Sequence, residues 1–401
     1  MLSLPGNSSQ QVALLVAIVG LCAILHRFYR ASCDELRGVP GPPLARFTRA
    51  WELLKTWQGD FEKTSIALHK RYGSIVRVGP NRYSISDPTA IRPIYGAGSK
   101  FSKSDFYLPF GPPMLDHKDV FSEMDNAKHA ADRKKISNMY SMSGLASYEP
   151  YVDKVNAEFM ARMDDFAERQ LSFDLFTWMQ YYAFDVIGEI TLGKSFGLID
   201  AGNDKDGLLQ AVDTANTKYA ARMGLLPEFH IWYLRVAKAL ALNDWNKVIQ
   251  RVILREISSR MGSEKQSDRE DFLAKCVTLL QSGKIGEMDM NNVIGMNIGA
   301  GSDTTGISLS ATIYHLIQNP RCMERLREEL KTAALDKKLS HPVTFRESQN
   351  LPYLQAVIKE ALRMHPAVGT ILPRVVPQGG VRLAGTYIPQ GVSVTFPILP
   401  C

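Results

Sequence analysis

The stretch Gly299-Ala300-Gly301-Ser302-Asp303-Thr304-Thr305-Gly306 lies at the middle of a segment, Met290 to Gln318, that contains one carboxylate and no Lys or Arg. At the α-helical rise of about 1.5 Å per residue, this segment predicts a helix on the order of 40 Å long. Because the segment carries so little charge, we expect the helix to be buried. Its centre is small, polar and poor in helix propensity, so we expect something other than side-chain packing to determine that centre.

Two properties of the centre indicate a functional site. Small residues permit the close approach of a flat or bulky group, and Thr304 can bond to the carbonyl of Ala300 and loosen the turn. A desolvated carboxyl has a raised pKa and can pass protons through a hydroxyl group and water, which makes Asp303 and Thr304 a candidate proton-delivery pair. A core helix whose acid is satisfied by a neighbouring donor fits the pattern equally well.

Two other interpretations of the glycines are excluded. A nucleotide-binding loop is not indicated, because no strand precedes Gly299 and the stretch has no Lys for a phosphate. A membrane helix-packing face at Gly295-x-x-x-Gly299 is contradicted by the density of Asn, Ser and Thr in the segment.

The apolar pattern on either side predicts a mainly α protein with small β-sheets. Helical periodicity dominates from about Asn126 to His365, as in the apolar repeat after Asp244, which is placed to cap that helix. A hairpin is expected around Gly79-Pro80-Asn81, and short strands separated by glycine turns are expected after Pro366.

The composition excludes several classes of protein. With 45% hydrophobic and 22% charged residues the chain is able to bury a core, which argues against disorder. The net charge of +6 is spread without a long Lys/Arg run, so nucleic acid is not an expected partner. Five scattered cysteines without Cys-x-x-Cys spacing indicate neither a disulfide framework nor a zinc site.

The N-terminal segment predicts a membrane anchor. No polar side chain interrupts Val12 to Leu25, and Arg27 and Arg30 follow this run while no basic residue precedes it, which predicts that the rest of the chain is cytoplasmic. A buried core helix is the alternative. Asn7 begins the one N-glycosylation sequon, which would be lumenal but very close to the membrane. We therefore expect a lumenal N-terminus over residues 1–11, a transmembrane anchor over 12–29 and a proline-rich hinge over 30–46.

The central stretch resembles a signature of the cytochrome P-450 haem-thiolate monooxygenases. Ala300 to Thr305 matches the A-G-x-D-T-T motif that this family carries on the long helix beside its haem. Further along, Lys359-Glu360-Ala361-Leu362-Arg363 matches the family's E-x-x-R helix, in which Glu360 and Arg363 would form a buried structural ion pair. On spacing alone, such a pair is more often an exposed helix contact worth about 0.3 kcal/mol.

Other motifs of the same family are present. Leu372-Pro373-Arg374 resembles the segment whose Arg reaches a haem propionate, and His129-x-x-x-Arg133 resembles the helix whose His and Arg hold the propionates. Spacing alone leaves a solvated helix face equally open for His129 and Arg133. The phrases Phe101-Ser102-Lys103-Ser104 and Tyr148-Glu149-Pro150-Tyr151-Val152 are similar to the fungal microsomal, pisatin-demethylase-like branch.

The resemblance implies a cytochrome P-450-like fold, a haem b cofactor and a monooxygenase catalytic domain over residues 47–401. Asp303 and Thr304 would deliver protons during oxygen activation, and the residues that would contact the cofactor are His129, Arg133, Ala300, Gly301, Thr305 and Arg374. It also implies an NADPH-dependent reductase as partner and an apolar small-molecule substrate, hydroxylated or demethylated in fungal secondary metabolism. The location it implies is the endoplasmic reticulum membrane, with a single span.

Three aromatic residues have two interpretations. Phe229, Trp232 and Tyr233 are expected either to border substrate access at the membrane or to pack in the core or on the surface.

The family's haem-ligating cysteine lies in an F-x-x-G-x-R-x-C-x-G loop, and this sequence has no such loop. Cys401 is not flanked by the Gly and Arg residues of that loop, and no helix follows it. We therefore reject Cys401 as the axial ligand and assign no metal ligand. We expect the catalytic domain to be incomplete at its C-terminus, as the larger part of a longer enzyme. The alternative is a catalytically inactive remnant that acts as a membrane-tethered binding protein.

Overall fold

A computed structural model describes residues 33–112, 117–240, 244–261 and 269–397, together with part of the segment from 11 to 29. The chain divides into two compact units. The first unit comprises the chain up to Ser104 and again from Thr370, and it contains the β-sheets. The second unit, Asp105–Gly369, is helical.

The α-helices in chain order are α1 Ala50–Trp57, α2 Phe61–Tyr72, α3 Ile91–Tyr95, α4 Asn126–Ile136, α5 Met142–Ala146, α6 Glu149–Glu168, α7 Leu175–Leu192, α8 Leu198–Ala201, α9 Leu208–Asp213, α10 Ala221–Met223, α11 Pro227–Leu240, α12 Asp244–Met261, α13 Phe272–Gln281, α14 Glu287–Gln318, α15 Pro320–Leu335, α16 Phe345–Ser348 and α17 Pro352–Met364. The strands are β1 Ile75–Gly79, β2 Arg82–Ile85, β3 Ser102–Lys103, β4 Arg374–Val375, β5 Val381–Leu383, β6 Thr386–Ile388 and β7 Ser393–Thr395. The π-helix Thr214–Ala220 joins α9 to α10, and short 3-10 helices cover Pro43–Arg46, Pro88–Ala90, Asp105–Phe110 and Ser137–Tyr140. Helix α14 is the central helix.

The first unit is built on a five-stranded sheet of order β1-β2-β7-β4-β3. β1 and β2 form the hairpin predicted around Pro80, with Ile75 opposite Ile85. β2 runs parallel to β7, with Tyr83 opposite Val394, so a strand distant in sequence completes the sheet. The two remaining strands, β5 and β6, form a separate antiparallel pair.

The proline-rich segment packs on this sheet. The backbone N–H of Arg77 donates to the carbonyl of Pro40 at 2.8 Å, and Leu36 is buried in the same apolar cluster as Tyr83. A Cβ on Gly41 would lie 2.3 Å from the carbonyl oxygen of Arg77, so this approach of two backbones requires glycine.

The core of the second unit lies between the central helix and α7. Ile294 and Ile298 of the central helix are fully buried in one apolar cluster with Phe184 of α7. Helix α7 begins after Asp174, whose carboxylate accepts hydrogen bonds from the backbone of Phe176 and Thr177, as N-cap residues do. The pairing of these two helices positions the candidate site.

The mainly α architecture with small β-sheets is confirmed. Helices dominate from α4 to α17 as expected, and α1, α2 and α3 lie before that region. Asn7 and much of the predicted anchor over 12–29 lie outside the described residues, as does Cys401. None of the helices that the structure does describe is both long and apolar enough to cross a membrane.

Candidate functional site

The central helix is a regular α-helix of 32 residues. The backbone N–H of Gly286 donates to the carboxylate of Asp289 at 3.1 Å at its start, and the helix ends before Pro320. The predicted bond from the hydroxyl of Thr304 to the carbonyl of Ala300 is present at 2.8 Å. The expectation that this bond loosens the turn was wrong, because the helix continues through it without a break.

Most hydroxyl groups in and after the polar centre are satisfied from within the helix. Five hydroxyl groups each donate to the carbonyl four residues earlier at 2.7–2.8 Å, and they belong to Ser302, Thr304, Ser308, Ser310 and Thr312. Bonds of this kind allow Ser and Thr to be buried without a partner on another helix. The stretch can therefore be polar and still pack closely against its neighbours.

Two glycines of the centre are explained by packing against α7. A Cβ on Gly301 would lie 2.7 Å from Cδ1 of Ile187, and a Cβ on Gly306 would lie 2.9 Å from Cδ of Gln180. Side-chain packing therefore does determine part of the centre, contrary to the expectation. Gly301, predicted as a cofactor contact, meets a neighbouring helix on the side where its Cβ would project.

One side of the centre is open. Ala300 is exposed, and Thr304, one turn later on the same side, is partly exposed. A Cβ on Gly299 would have no atom within 4 Å. Thr305 is also exposed but lies about 100° further round the helix than Thr304. The predicted burial of the whole helix is therefore wrong at this side, which is where a flat group has room.

Asp303 is partly buried, and the pKa of its carboxyl is shifted. Desolvation, with a smaller contribution from the charge of Asp213, raises the pKa of Asp303 to about 6. Within the described residues its carboxylate accepts no hydrogen bond, which disfavours the alternative of an acid satisfied by a neighbouring donor. A carboxyl with this pKa can take up and release protons near neutral pH.

The π-helix Thr214–Ala220 holds the residues that the sequence did not reveal. Nδ2 of Asn216 donates to the carbonyl oxygen of Gly299 at 2.8 Å. Lys218 forms an ion pair with Asp213, Nζ to Oδ2, at 2.8 Å. No local pattern marks these residues, because their importance comes from a contact with a helix distant in sequence.

His129 and Arg133 lie one turn apart on α4, on the same side as Ile136, the buried residue of that helix. Asp125 caps α4 by accepting hydrogen bonds from two backbone N–H groups. Lys135 of the same helix lies 4.0 Å from Asp289, at the first turn of the central helix. The helix that carries the predicted propionate ligands is therefore placed beside the central helix.

Arg374 belongs to the first unit, on β4. Its guanidinium lies 5.2 Å from the centre of the Tyr95 ring and donates to the carbonyl of Pro373 at 3.2 Å. The phenol of Tyr95 donates to the carbonyl of Leu372 at 2.8 Å, which fixes the segment before the strand.

Glu360 and Arg363 form the predicted ion pair, with Nη2 to Oε1 at 2.6 Å. The expectation that the pair is buried was wrong, since 61% of the Glu360 side chain and 40% of the Arg363 side chain are exposed. Spacing within a helix dictates the pairing, whereas burial depends on what packs over that face.

The residues of the open side fit the haem that the resemblance implies. Exposed Ala300 leaves space for a flat ring, and Asp303 and Thr304 offer a proton donor and acceptor beside it. The iron ligand is not provided by Cys276, which is buried with its Sγ 4.0 Å from Sδ of Met139 and whose pKa burial raises to about 12. Cys322 is exposed on α15. The described residues that fit a haem are therefore those of the open side, Ala300, Asp303 and Thr304.

Comparison with known proteins agrees with this geometry. The Cytochrome P450 family profile matches residues 39–401. Pisatin demethylase of Fusarium vanettenii is 39% identical over 393 residues, which are 95% of this chain and 75% of that protein. Cytochrome P450 monooxygenase gsfF of Penicillium aethiopicum is 33% identical over 392 residues, 95% of this chain and 78% of that protein. Cytochrome P450 monooxygenase cicH of Emericella nidulans is 34% identical over 396 residues, 96% of this chain and 79% of that protein.

The predicted resemblance to the fungal pisatin-demethylase-like branch is confirmed by these matches. They also imply the haem cofactor, a redox partner and a small-molecule substrate. The chain belongs to the cytochrome P450 family.

Proposed function

We propose that the protein is a haem-dependent monooxygenase that hydroxylates or demethylates an apolar small molecule in fungal secondary metabolism. The observation that carries the proposal is the Asp303–Thr304 pair beside the open side of the central helix. A carboxyl with a pKa of about 6 is present in both protonation states near neutral pH, as a proton relay requires. The family match and the names of the relatives support the reaction class.

The haem supplies the oxygen chemistry when it is bound. The Thr304 hydroxyl holds a proton at Oγ1 on the open side, and Asp303 replaces that proton from its own carboxyl through water. On α4, His129 and Arg133 would supply donors and positive charge for the propionates when haem is bound. The resemblance assigns the same role to Arg374 on β4. Ala300, which is exposed on the open side, would lie against the bound haem, and the resemblance assigns a cofactor contact to Thr305 as well.

An apolar substrate is supported by an aromatic cluster of the second unit. Phe106 and Tyr107 meet edge to face at 5.7 Å, and Phe110 and Phe121 meet at 5.8 Å. The 3-10 helix that carries Phe106 packs against the π-helix and α11. Phe106 and Tyr107 are buried, so the part of the cluster that an apolar molecule would meet is Phe110 and Phe121, which keep exposed surface.

We also propose that the enzyme is a single-pass protein of the endoplasmic reticulum membrane, with the anchor over 12–29 and a cytoplasmic catalytic body. The described side chains of Leu14, Leu15 and Ile18 are exposed. Helix α11 exposes 59% of Phe229 and 61% of Trp232, on one face, as helices at a bilayer interface do. Deletion of residues 1–29 is expected to release the protein from microsomes, and unchanged sedimentation would reject the anchor.

The function is tested with the full-length protein, haem and an NADPH-dependent reductase. Thr304→Ala should continue to consume NADPH while product per NADPH falls several-fold, because the proton is no longer held at that position. Thr304→Ser, which keeps the hydroxyl, is the matched control and should form as much product per NADPH as the wild type. An equal yield of product per NADPH in the wild type, Thr304→Ala and Thr304→Ser would contradict the role of Thr304.

A spectroscopic measurement separates the enzyme from its alternative. The full-length protein, with the Cys loop of the family in place, should show a thiolate-type band with carbon monoxide when it is reduced and loaded with haem. A protein that takes up no haem, or gives no thiolate band, would favour the non-catalytic membrane-tethered protein.

A further inference from the structure

The ion pair between Asp213 and Lys218 depends on the π-helix. Five residues along an α-helix place two side chains about 140° apart, so such residues do not meet. The π-helix Thr214–Ala220, with its wider i to i+5 bonding, brings Nζ of Lys218 to 2.8 Å from Oδ2 of Asp213. Both side chains are about half exposed, at 51% for Lys218 and 43% for Asp213, so the pair is in contact with solvent.

The same segment is fixed to the central helix. Asn216, between the two charged residues in sequence, donates from Nδ2 to the carbonyl oxygen of Gly299 at 2.8 Å. Gly299 directly precedes Ala300, whose carbonyl accepts the bond from Thr304. The ion pair is therefore held at the level of the candidate proton-delivery pair.

Asp213 is the charged group that acts on Asp303. Its negative charge disfavours ionisation of Asp303, as like charges do. Six charged groups on the other helices packed against the central helix have partners of their own. Asp185 binds the backbone of Leu198 and Ile199, Glu189 binds Arg269 and Lys154, Glu329 binds the backbone of Tyr353 and Leu354, Arg260 binds Asp271, Lys275 binds Tyr148, and Glu360 binds Arg363. Of the charges that the structure describes, only that of Asp213 contributes to the pKa shift of Asp303.

We propose that Asp213 and Lys218 are positioning residues that set the charge of Asp303 from the solvent side, with Asn216 holding them in register. Lys218 neutralises Asp213, so the ion pair limits the repulsion that Asp303 meets on ionising. This inference rests on the proposed function, because the charge of Asp303 matters for a reaction that consumes protons.

The proposal predicts shifts of opposite sign for its two members. Lys218→Met leaves the Asp213 charge uncompensated and should raise the titration midpoint of Asp303, whereas Asp213→Asn removes the charge and should lower it. Each shift is expected to be about half a pH unit or more. The measurement is infrared spectroscopy of the protonated carboxyl band against pH on the full chain, with Asp303→Asn identifying the band.

Matched variants control for unspecific effects. Lys218→Arg keeps the positive charge and Asp206→Asn removes an exposed carboxylate before α9, so both should leave the midpoint of Asp303 unchanged. Asn216→Ala, which frees the π-helix, should reduce the shift caused by Asp213→Asn. Shifts of the same sign, or no shift in either Lys218→Met or Asp213→Asn, would overturn the proposal.

The infrared titration needs no turnover, so it is independent of the proposed function. Opposite shifts in a chain that shows no monooxygenase activity would support this inference and count against the function. Unshifted titration in an active enzyme would overturn this inference alone. In the active enzyme the alkaline limb of the product-per-NADPH profile should move in the same direction as the Asp303 midpoint, to higher pH in Lys218→Met and to lower pH in Asp213→Asn.

Discussion

Gly301 lies directly against Ile187, so that a Cβ on Gly301 would sit 2.7 Å from Cδ1 of the isoleucine. The arrangement recurs at Gly306, where a Cβ would lie 2.9 Å from Cδ of buried Gln180. These two contacts allow α7 and the central helix to pack closely. Because the candidate proton-delivery pair lies between the two glycines, the spacing of these helices also fixes the position of the site.

Alanine at two neighbouring glycines should have opposite effects on stability. Gly301→Ala should destabilise the fold by about 1 kcal/mol, since overpacking against Ile187 outweighs the gain in helix propensity. Gly299→Ala, with no atom within 4 Å of its Cβ, should stabilise the fold by about 1 kcal/mol through helix propensity alone. Chemical denaturation of the three proteins measures both effects.

Ile187→Val tests the cause of the first effect, because valine lacks the Cδ1 atom that a Cβ on Gly301 would meet. In a double-mutant cycle, Gly301→Ala should cost less in the Ile187→Val background than in the wild-type chain. Strictly additive costs would show that the contact with Ile187 is not the reason for glycine at this position.

Local patterns in the sequence were sufficient for much of the site. The low charge between Met290 and Gln318 predicted the central helix, and the bond from Thr304 to Ala300 depends only on a spacing of four residues. The hairpin around Pro80 follows in the same way from turn chemistry.

The tertiary partners of the central helix could not be predicted. Asp213, Asn216 and Gln180 act on that helix from other elements, and no local signal distinguishes them from surface polar residues. The π-helix also lacks a sequence signature, although it forms the ion pair of Lys218. Burial of the Glu360–Arg363 pair was wrongly expected for a related reason, since spacing does not show which face of a helix is covered.

The charge of Asp303 should make stability depend on pH. Its pKa is raised from 3.8 to about 6 on folding, so between these values the folded chain binds more protons than the unfolded chain. Stability therefore falls as pH rises through this window and the contribution is constant above it. The stability of Asp303→Asn relative to the wild type should increase by about 1 to 2 kcal/mol between pH 4 and pH 7, as measured by urea denaturation. A difference that is constant with pH would contradict the raised pKa.

Buried charge holds the second unit together at a cluster around Arg269. This residue lies 2.8 Å from Glu189 and 3.8 Å from Asp271, and both carboxylates are fully buried. Arg269→Ala should destabilise the fold by about 2 kcal/mol, because Lys154 and Arg260 remain to compensate the two acids in part.

A surface arginine provides the comparison for that prediction. Arg255 pairs with Glu256 at 3.0 Å, but 60% of its side chain is exposed. Arg255→Ala should therefore cost less than about 1 kcal/mol in the same denaturation experiment. Similar costs for the two variants would show that burial of Glu189 and Asp271 does not strengthen the cluster.

The two cysteines of the helical unit should differ in reactivity. Burial, with a smaller contribution from the charge of Asp271, raises the pKa of Cys276 to about 12, whereas Cys322 is exposed. Because the thiolate is the reactive form, iodoacetamide at pH 8 should modify Cys276 more than about a hundredfold more slowly than Cys322. Mass spectrometry of the peptides measures both rates, and in denaturing urea the rates should converge. Rapid modification of Cys276 in the native protein would show that the cluster around it opens to solvent, and would reopen the question of whether its thiolate is accessible to a haem iron.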